Sequence, residues 1–216
     1  LVPPKGYLKR IREICDKHGI LLIFDEVITG WGRTGSAFAA QEFGVTPDMI
    51  TMAKATTNGV IPMGVVAVKE EMYDAVLDSS SNPEGTPELF HGYTYSGIPA
   101  AVAAGLAVQD IFDKEDIFNR AKELSPYFQD GLHSLKDLKE VVSIRGYGMM
   151  GGIEINMKEK PGKAGYQVFK HCYDAGVNFK NTGDNLIIAP QFICEKKHID
   201  EIIEKLRTGI SNYSKS

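Results

Sequence analysis

Two strand-like segments that each run into a charged side chain constrain this chain more than anything else in it. Residues 20–24 read Ile-Leu-Leu-Ile-Phe and stop at Asp25; residues 48–53 read Asp-Met-Ile-Thr-Met-Ala and stop at Lys54. A strand with one wet face alternates apolar and polar residues. The unbroken apolar run over 20–24 instead predicts a strand covered on both faces, as in a parallel α/β sheet, and 48–53 reads as a second buried strand. In such sheets ligands bind outside the carboxyl ends of the strands, so a carboxylate and an amine are expected at the same edge.

The other segments alternate in the same manner. Residues 6–18 have aliphatic positions at Leu8, Ile11 and Ile14 and end at Gly19, a helix with a glycine stop. A short helix is predicted over 36–43, a third strand over 63–68, an exposed Pro/Gly-rich loop over 78–88 and a long Ala-rich helix over 98–112. Beyond it the texture changes. A helix over 116–135, strands over 141–147 and 150–155, a turn over 158–165 and a helix over 165–175 come first. Short strands over 177–179 and 185–189 and a final helix over 196–213 complete the chain. Short strands with helices beside them suggest a smaller α+β domain. The expected organisation is residues 1–105 as one domain and 106–216 as a second.

Composition removes several function classes. A formal net charge of −4, with no Lys/Arg cluster, argues against a nucleic-acid surface. No apolar run is long enough for a membrane span, and residues 1–20 lack the apolar core of a signal peptide. Three widely spaced cysteines, Cys15, Cys172 and Cys194, fit neither a disulfide framework nor a zinc pattern. Reduced thiols in a cytoplasmic protein are the simplest reading, with no metal. The chain opens on Leu1-Val-Pro-Pro and enters a helix–strand unit at once, as the middle of a longer protein would.

An aspartate and a lysine at one sheet edge suit pyridoxal 5′-phosphate (PLP). The lysine joins the cofactor aldehyde, and the aspartate keeps the pyridine nitrogen protonated through a charge-assisted hydrogen bond. Taken singly, Asp25 reads equally well as a turn residue and Lys54 as a solvated strand-end lysine. Their surroundings favour the chemistry. The block Ile23-Phe-Asp-Glu-Val-Ile-Thr-Gly-Trp-Gly-Arg-Thr-Gly35 resembles the signature of the class-III, or omega, aminotransferases. So does Pro47-Asp-Met-Ile-Thr-Met-Ala-Lys-Ala-Thr-Thr-Asn-Gly-Val-Ile-Pro-Met-Gly64, and His91-Gly-Tyr-Thr-Tyr-Ser-Gly97 resembles the family's phosphate-contacting loop. Three long blocks in order are far more specific than one short motif, and the resemblance covers essentially the whole chain.

The resemblance implies part of a fold-type-I large domain followed by a small α+β domain, and a homodimeric enzyme. Its reaction transfers an amino group from an omega-amino acid or amine to a 2-oxo acid such as pyruvate. Residue by residue, Lys54 holds the cofactor and moves the proton, Asp25 contacts the pyridine nitrogen, and Val27 packs on a ring face. Thr94 donates its hydroxyl to the phosphate of the neighbouring subunit's cofactor; the plainer reading of Thr94 is an N-cap of the following helix, a role Ser96 also suits. Glu26 and Arg33 read as ion-pairing or loop-shaping groups. Gly30, Gly32 and Gly35 read as sites of positive φ, and Trp31 as a space-filler.

Two positions depart from the family. Ile98 stands where members often have histidine, and Lys180 aligns with an arginine that clamps the substrate carboxylate. Lysine keeps the charge but loses the bidentate fork, which weakens carboxylate recognition or fits a donor that needs none. Family members also carry a preceding half with the phosphate cup and the aromatic residue on the other ring face. This chain alone is therefore expected to bind PLP poorly and to be inactive. The remaining alternatives are an aminomutase or decarboxylase of the same family, or a truncated non-catalytic scaffold. Gly32-Arg-Thr-Gly35 speaks against the aminomutase.

Overall fold

The computed structural model describes residues 1–79, 91, 94–157 and 160–215. Most of the predicted 78–88 loop, part of the 91–97 block and residues 158–159 of the predicted turn lie outside them. The chain divides into two compact units. Pro4–Trp31 and Ala37–Glu115 form the first, and Leu1–Pro3, Gly32–Ser36 and Asp116–Ser216 the second. The boundary expected at residue 105 falls inside an unbroken helix, Pro99–Lys114, and the units part at Glu115 and Asp116 instead. The physical reason is that nothing at Gly105 stops a helix: it is a buried position where the backbone passes 3.5 Å from Thr56 O, measured from where a Cβ would stand.

In the first unit, helix α1 (Tyr7–His18) ends on Gly19 in the left-handed region at φ 61°, as its glycine stop predicts. Strand β1 (Ile23–Asp25) follows, then helix α2 (Ala39–Glu42), strand β2 (Met49–Met52) and a 3-10 turn over Lys54–Thr56. Strand β3 (Val65–Val68), helix α3 (Glu70–Asp78) and helix α4 (Pro99–Lys114) complete it. The sheet order is β1-β2-β3; β1 and β2 run parallel, with Asp25 opposite Thr51, but β3 runs antiparallel to β2. The fully parallel expectation thus holds for the pair that carries Asp25 and precedes Lys54, and fails at β3. Only twelve residues separate Met52 from Val65, and no crossover helix lies among them to return the chain in the same direction.

Burial corrects a second expectation. Leu22 is buried against Cys15 and Val45, with Leu8, Ile11 and Phe24 packed around them, whereas Leu21, Ile23, Val66 and Val68 are exposed. Within the described residues the strands are therefore covered on one face only, although the run 20–24 is apolar throughout. Helix α1 likewise turns Cys15 inward and leaves Ile14 exposed. At the far end of the strands Asp48 is nearly buried. Its Oδ2 accepts from Leu22 N at 2.7 Å and Arg12 Nη1 at 2.8 Å, and its Oδ1 pairs with Lys69 Nζ at 2.7 Å.

The second unit comprises helix α5 (Ile117–His133), a 3-10 turn over Ser134–Asp137, strands β4 (Val141–Tyr147) and β5 (Met150–Ile155), helix α6 (Lys163–Asp174), strands β6 (Lys180–Thr182) and β7 (Asn185–Ile188), and helix α7 (Lys196–Lys215). Its antiparallel sheet has the order β4-β5-β7-β6. A strand expected at 177–179 begins instead at Lys180, where pairing with Ile187 starts. Phe128, Leu132, Ile153, Leu186, Ile199 and Leu206 are fully buried between sheet and helices. Among the described residues no helix is long and apolar enough to cross a membrane.

Candidate active site

The carboxyl ends of β1 and β2 lie side by side, and each delivers one charged group. Asp25 is the last residue of β1; Lys54 opens the turn just after β2. The parallel pairing continues one step past Asp25, because Glu26 N donates to Thr51 O at 2.9 Å. Asp25 Oδ1 accepts from Val27 N at 3.1 Å and from Thr51 Oγ1 at 3.3 Å, which fixes the carboxylate. Its Oδ2 has no donor among the described residues, and the residue is exposed. Thr51 is the supporting residue that motif reading missed; its place opposite Asp25 in the strand register is the signal that finds it.

Lys54 is exposed, and its amine has no hydrogen-bond or ion-pair partner among the described residues. Its backbone lies at φ 46°, in the left-handed region. For a residue with a Cβ such a conformer costs on the order of 1–3 kcal/mol and persists only where its surroundings enforce it. Lys54 lines a cavity of about 650 Å³ whose wall also includes Thr57, Pro62, Tyr95, Ser96 and Ile98. Residues 95–98 thus share a cavity wall with the lysine of the same chain. Asp25, Val27 and Thr94 are not part of that wall.

Val27 is half-buried in the turn after Asp25, and Thr94 is exposed in a turn before α4. The plainer reading of Thr94 fails: the N-cap of α4 is Ile98, with no side-chain cap from Thr94 or Ser96. Lys180 is an exposed residue on β6, the edge strand of the second unit.

The glycine-rich loop is built differently from its sequence reading. Gly32 and Gly35 have φ of 102° and 90°, as expected, but Gly30 does not have positive φ. A side chain at Gly30 is excluded by space instead, since a Cβ there would stand 2.8 Å from Glu26 O. The left-handed residue beside it is Trp31, at φ 62°. Glu26 is not ion-paired among the described residues: it is 1% exposed and accepts from Ala39 N and Ala40 N, both at 2.7 Å, and from Thr29 Oγ1 at 3.0 Å. It holds the start of α2 against the turn after Asp25. In the second unit Arg33 donates to Pro190 O and lies over the Phe192 ring at 4.4 Å, a loop-shaping role.

This geometry accompanies a match of residues 1–210 to the family model "Aminotransferase class-III". The chain belongs to the class-III aminotransferases. Among relatives of this aminotransferase chain is an omega-aminotransferase from Caulobacter vibrioides, 50% identical over 208 residues, with 96% of this chain and 47% of the relative covered. An omega-amino acid–pyruvate aminotransferase from Pseudomonas putida is 44% identical, covering 94% of this chain and 45% of its own length. A solved amine transaminase from an uncultivated Pseudomonas species, in a PLP-bound form, is 32% identical with a TM-score of 0.89. It covers 98% of this chain, which in turn spans 49% of it. The chain spans about half the length of the curated relatives it matches.

Proposed function

We propose that this chain is the lysine-bearing part of a PLP-dependent aminotransferase that moves an amino group from an omega-amino acid or amine to a 2-oxo acid such as pyruvate. One observation carries the proposal: Asp25 and Lys54 leave the carboxyl ends of two paired parallel strands, the carboxylate with one oxygen unengaged and the amine without a partner among the described residues. The residues present fit PLP. A free carboxylate oxygen suits a pyridinium N–H, and an unpaired amine at the wall of a 650 Å³ cavity suits an aldehyde. The names of the relatives, an omega-aminotransferase and an omega-amino acid–pyruvate aminotransferase, supply the substrate class.

When bound, PLP supplies an electron sink for negative charge on the amino-bearing carbon. Lys54 Nζ would hold the cofactor through its aldehyde and would serve as the proton carrier. Asp25 Oδ2 would accept the ring N–H, while Thr51 Oγ1 and Val27 N hold the carboxylate still. Val27 would offer an apolar surface to one ring face. The Thr94 hydroxyl would donate to the phosphate of the neighbouring subunit's cofactor in a homodimer. Where the family resemblance implies a contact to the substrate carboxylate, the lysine at position 180 offers a point charge, a looser grip than arginine's fork, which favours donors that lack a carboxylate near the amine. Three unpaired cysteines accord with a cytoplasmic setting.

By itself the 216-residue chain leaves Leu21, Ile23, Val66 and Val68 of its sheet exposed, so we place further chain against them in the working enzyme. Borohydride reduction followed by peptide mapping tests the assignment. In full-length enzyme the phosphopyridoxyl group is expected on Lys54, with far weaker labelling of the 216-residue chain alone. Label on another lysine refutes the role of Lys54; equal stoichiometric labelling of the short chain refutes its dependence on further chain.

A further inference from the structure

Lys54 would carry this chemistry on a backbone that residues with a side chain seldom adopt. Its φ is 46°, the preceding Ala53 lies at φ −160° and ψ −149°, and the turn closes through Thr56 N to Ala53 O at 3.0 Å and Thr57 N to Lys54 O at 3.4 Å. Conformers of this kind need surroundings that over-determine them. The clearest such group is the Thr56 hydroxyl. It donates to Ala53 O, the carbonyl immediately before Lys54, at 3.0 Å, and accepts from Trp31 Nε1 at 2.9 Å. Thr56 is 5% exposed, so water competes little for either bond.

Trp31 is itself held on several sides. Its ring lies 5.1 Å from Phe38 and 6.4 Å from Phe112 of α4, and its amide donates to Ala37 O at 2.6 Å. A residue that only filled space would need neither a left-handed backbone nor an indole N–H aimed at a hydroxyl in another motif block.

We propose that Trp31 is a positioning residue. Through Thr56 it fixes the Ala53–Lys54 peptide, and with it the direction in which the lysine side chain leaves the strand end. The proposal rests on Lys54 being the cofactor lysine. The indole N–H holds the hydroxyl in the one rotamer that donates to Ala53 O, and a hydroxyl that accepts one bond donates the other more strongly. Without the indole donor the hydroxyl rotates, the Ala53 carbonyl keeps only the Thr56 amide of its two donors, and the turn relaxes away from the left-handed conformer.

Trp31→Phe keeps an aromatic ring beside Phe38 and Phe112 and removes the donor. Thr56→Val removes the hydroxyl at nearly constant shape, and Thr56→Ser restores it. Two readouts apply in the full-length protein: the rate at which apoprotein takes up PLP, and the pH midpoint of the visible absorbance of the lysine-bound cofactor. Trp31→Phe and Thr56→Val are each expected to slow uptake about two- to tenfold, the effect of one hydrogen bond, and to shift the midpoint. Thr56→Ser should behave as wild type, and the double variant should be no slower than Thr56→Val alone, as expected for one coupled unit. Unchanged uptake and midpoint in Trp31→Phe, or additive losses in the double variant, overturn the proposal. If Trp31→Phe fails to fold, the Thr56 pair decides: uptake and midpoint should change with Val and not with Ser, and equal behaviour of the two overturns the proposal. Borohydride labelling of the wild type is the separate check on the cofactor lysine; label away from Lys54 overturns that reading and this one with it, whereas label on Lys54 with unaffected variants overturns this one alone.

Discussion

Glu26 stands next to Asp25 in the motif, yet the structure makes it a fold-determining residue whose loss should act on stability. Its carboxylate is 1% exposed and fully engaged: Oε2 takes Ala39 N at 2.7 Å and Thr29 Oγ1 at 3.0 Å, and Oε1 takes Ala40 N at 2.7 Å. In Glu26→Gln the side chain keeps its shape but offers one acceptor oxygen, and its NH₂ must face at least one of the two backbone donors. That stranded N–H costs roughly 1–3 kcal/mol, and the bonds that remain lose the charge that makes each worth about 1.5–3 kcal/mol. A net destabilisation of about 3–5 kcal/mol follows, a large fraction of the ~5–15 kcal/mol that holds an ordinary domain together. Urea unfolding of the 216-residue chain followed by tryptophan emission isolates the effect, because the single tryptophan of that chain, Trp31, belongs to the same unit as Glu26. A loss below about 1 kcal/mol in Glu26→Gln would refute the claim that these three donors depend on a charged acceptor.

Asp25→Asn should leave cofactor attachment at Lys54 intact while lowering turnover by at least about a hundredfold, since a neutral amide does not hold a proton on the ring nitrogen; near-native turnover would show that another group serves that nitrogen. Asp48 should make stability depend on acid. The Leu22 amide, Lys69 and Arg12 hold its carboxyl well below the usual carboxylate range. Its contribution is therefore complete above the unfolded-state value of about 4 and is lost as pH falls from there toward the depressed folded value. Urea midpoints measured from pH 6 down to pH 3 should fall less steeply in Asp48→Asn than in wild type, and parallel slopes would rule the group out.

The sequence by itself determined the helix of α1 and its Gly19 stop, the limits of β4 and β5, and the placement of Asp25 and Lys54 at strand ends. It did so because hydrophobic period, glycine stops and strand-ending charges are local signals, carried within a few residues of the position they fix. Three motif blocks also carry the family's signature in the sequence itself. Tertiary structure alone decided which partner each group meets. Cys15 rather than Ile14 faces the core, since both lie near the same helical stripe and only the seat against Leu22 and Val45 chooses between them. β3 turned antiparallel because its direction depends on the path taken from Met52, which a strand's own composition does not encode. Of the ion-pairing and loop-shaping roles open to Glu26, folding chose the second through two backbone amides, and Trp31 found Thr56 from 25 residues away. Such pairings belong to chain segments brought together only on folding, so no periodicity in either segment announces them.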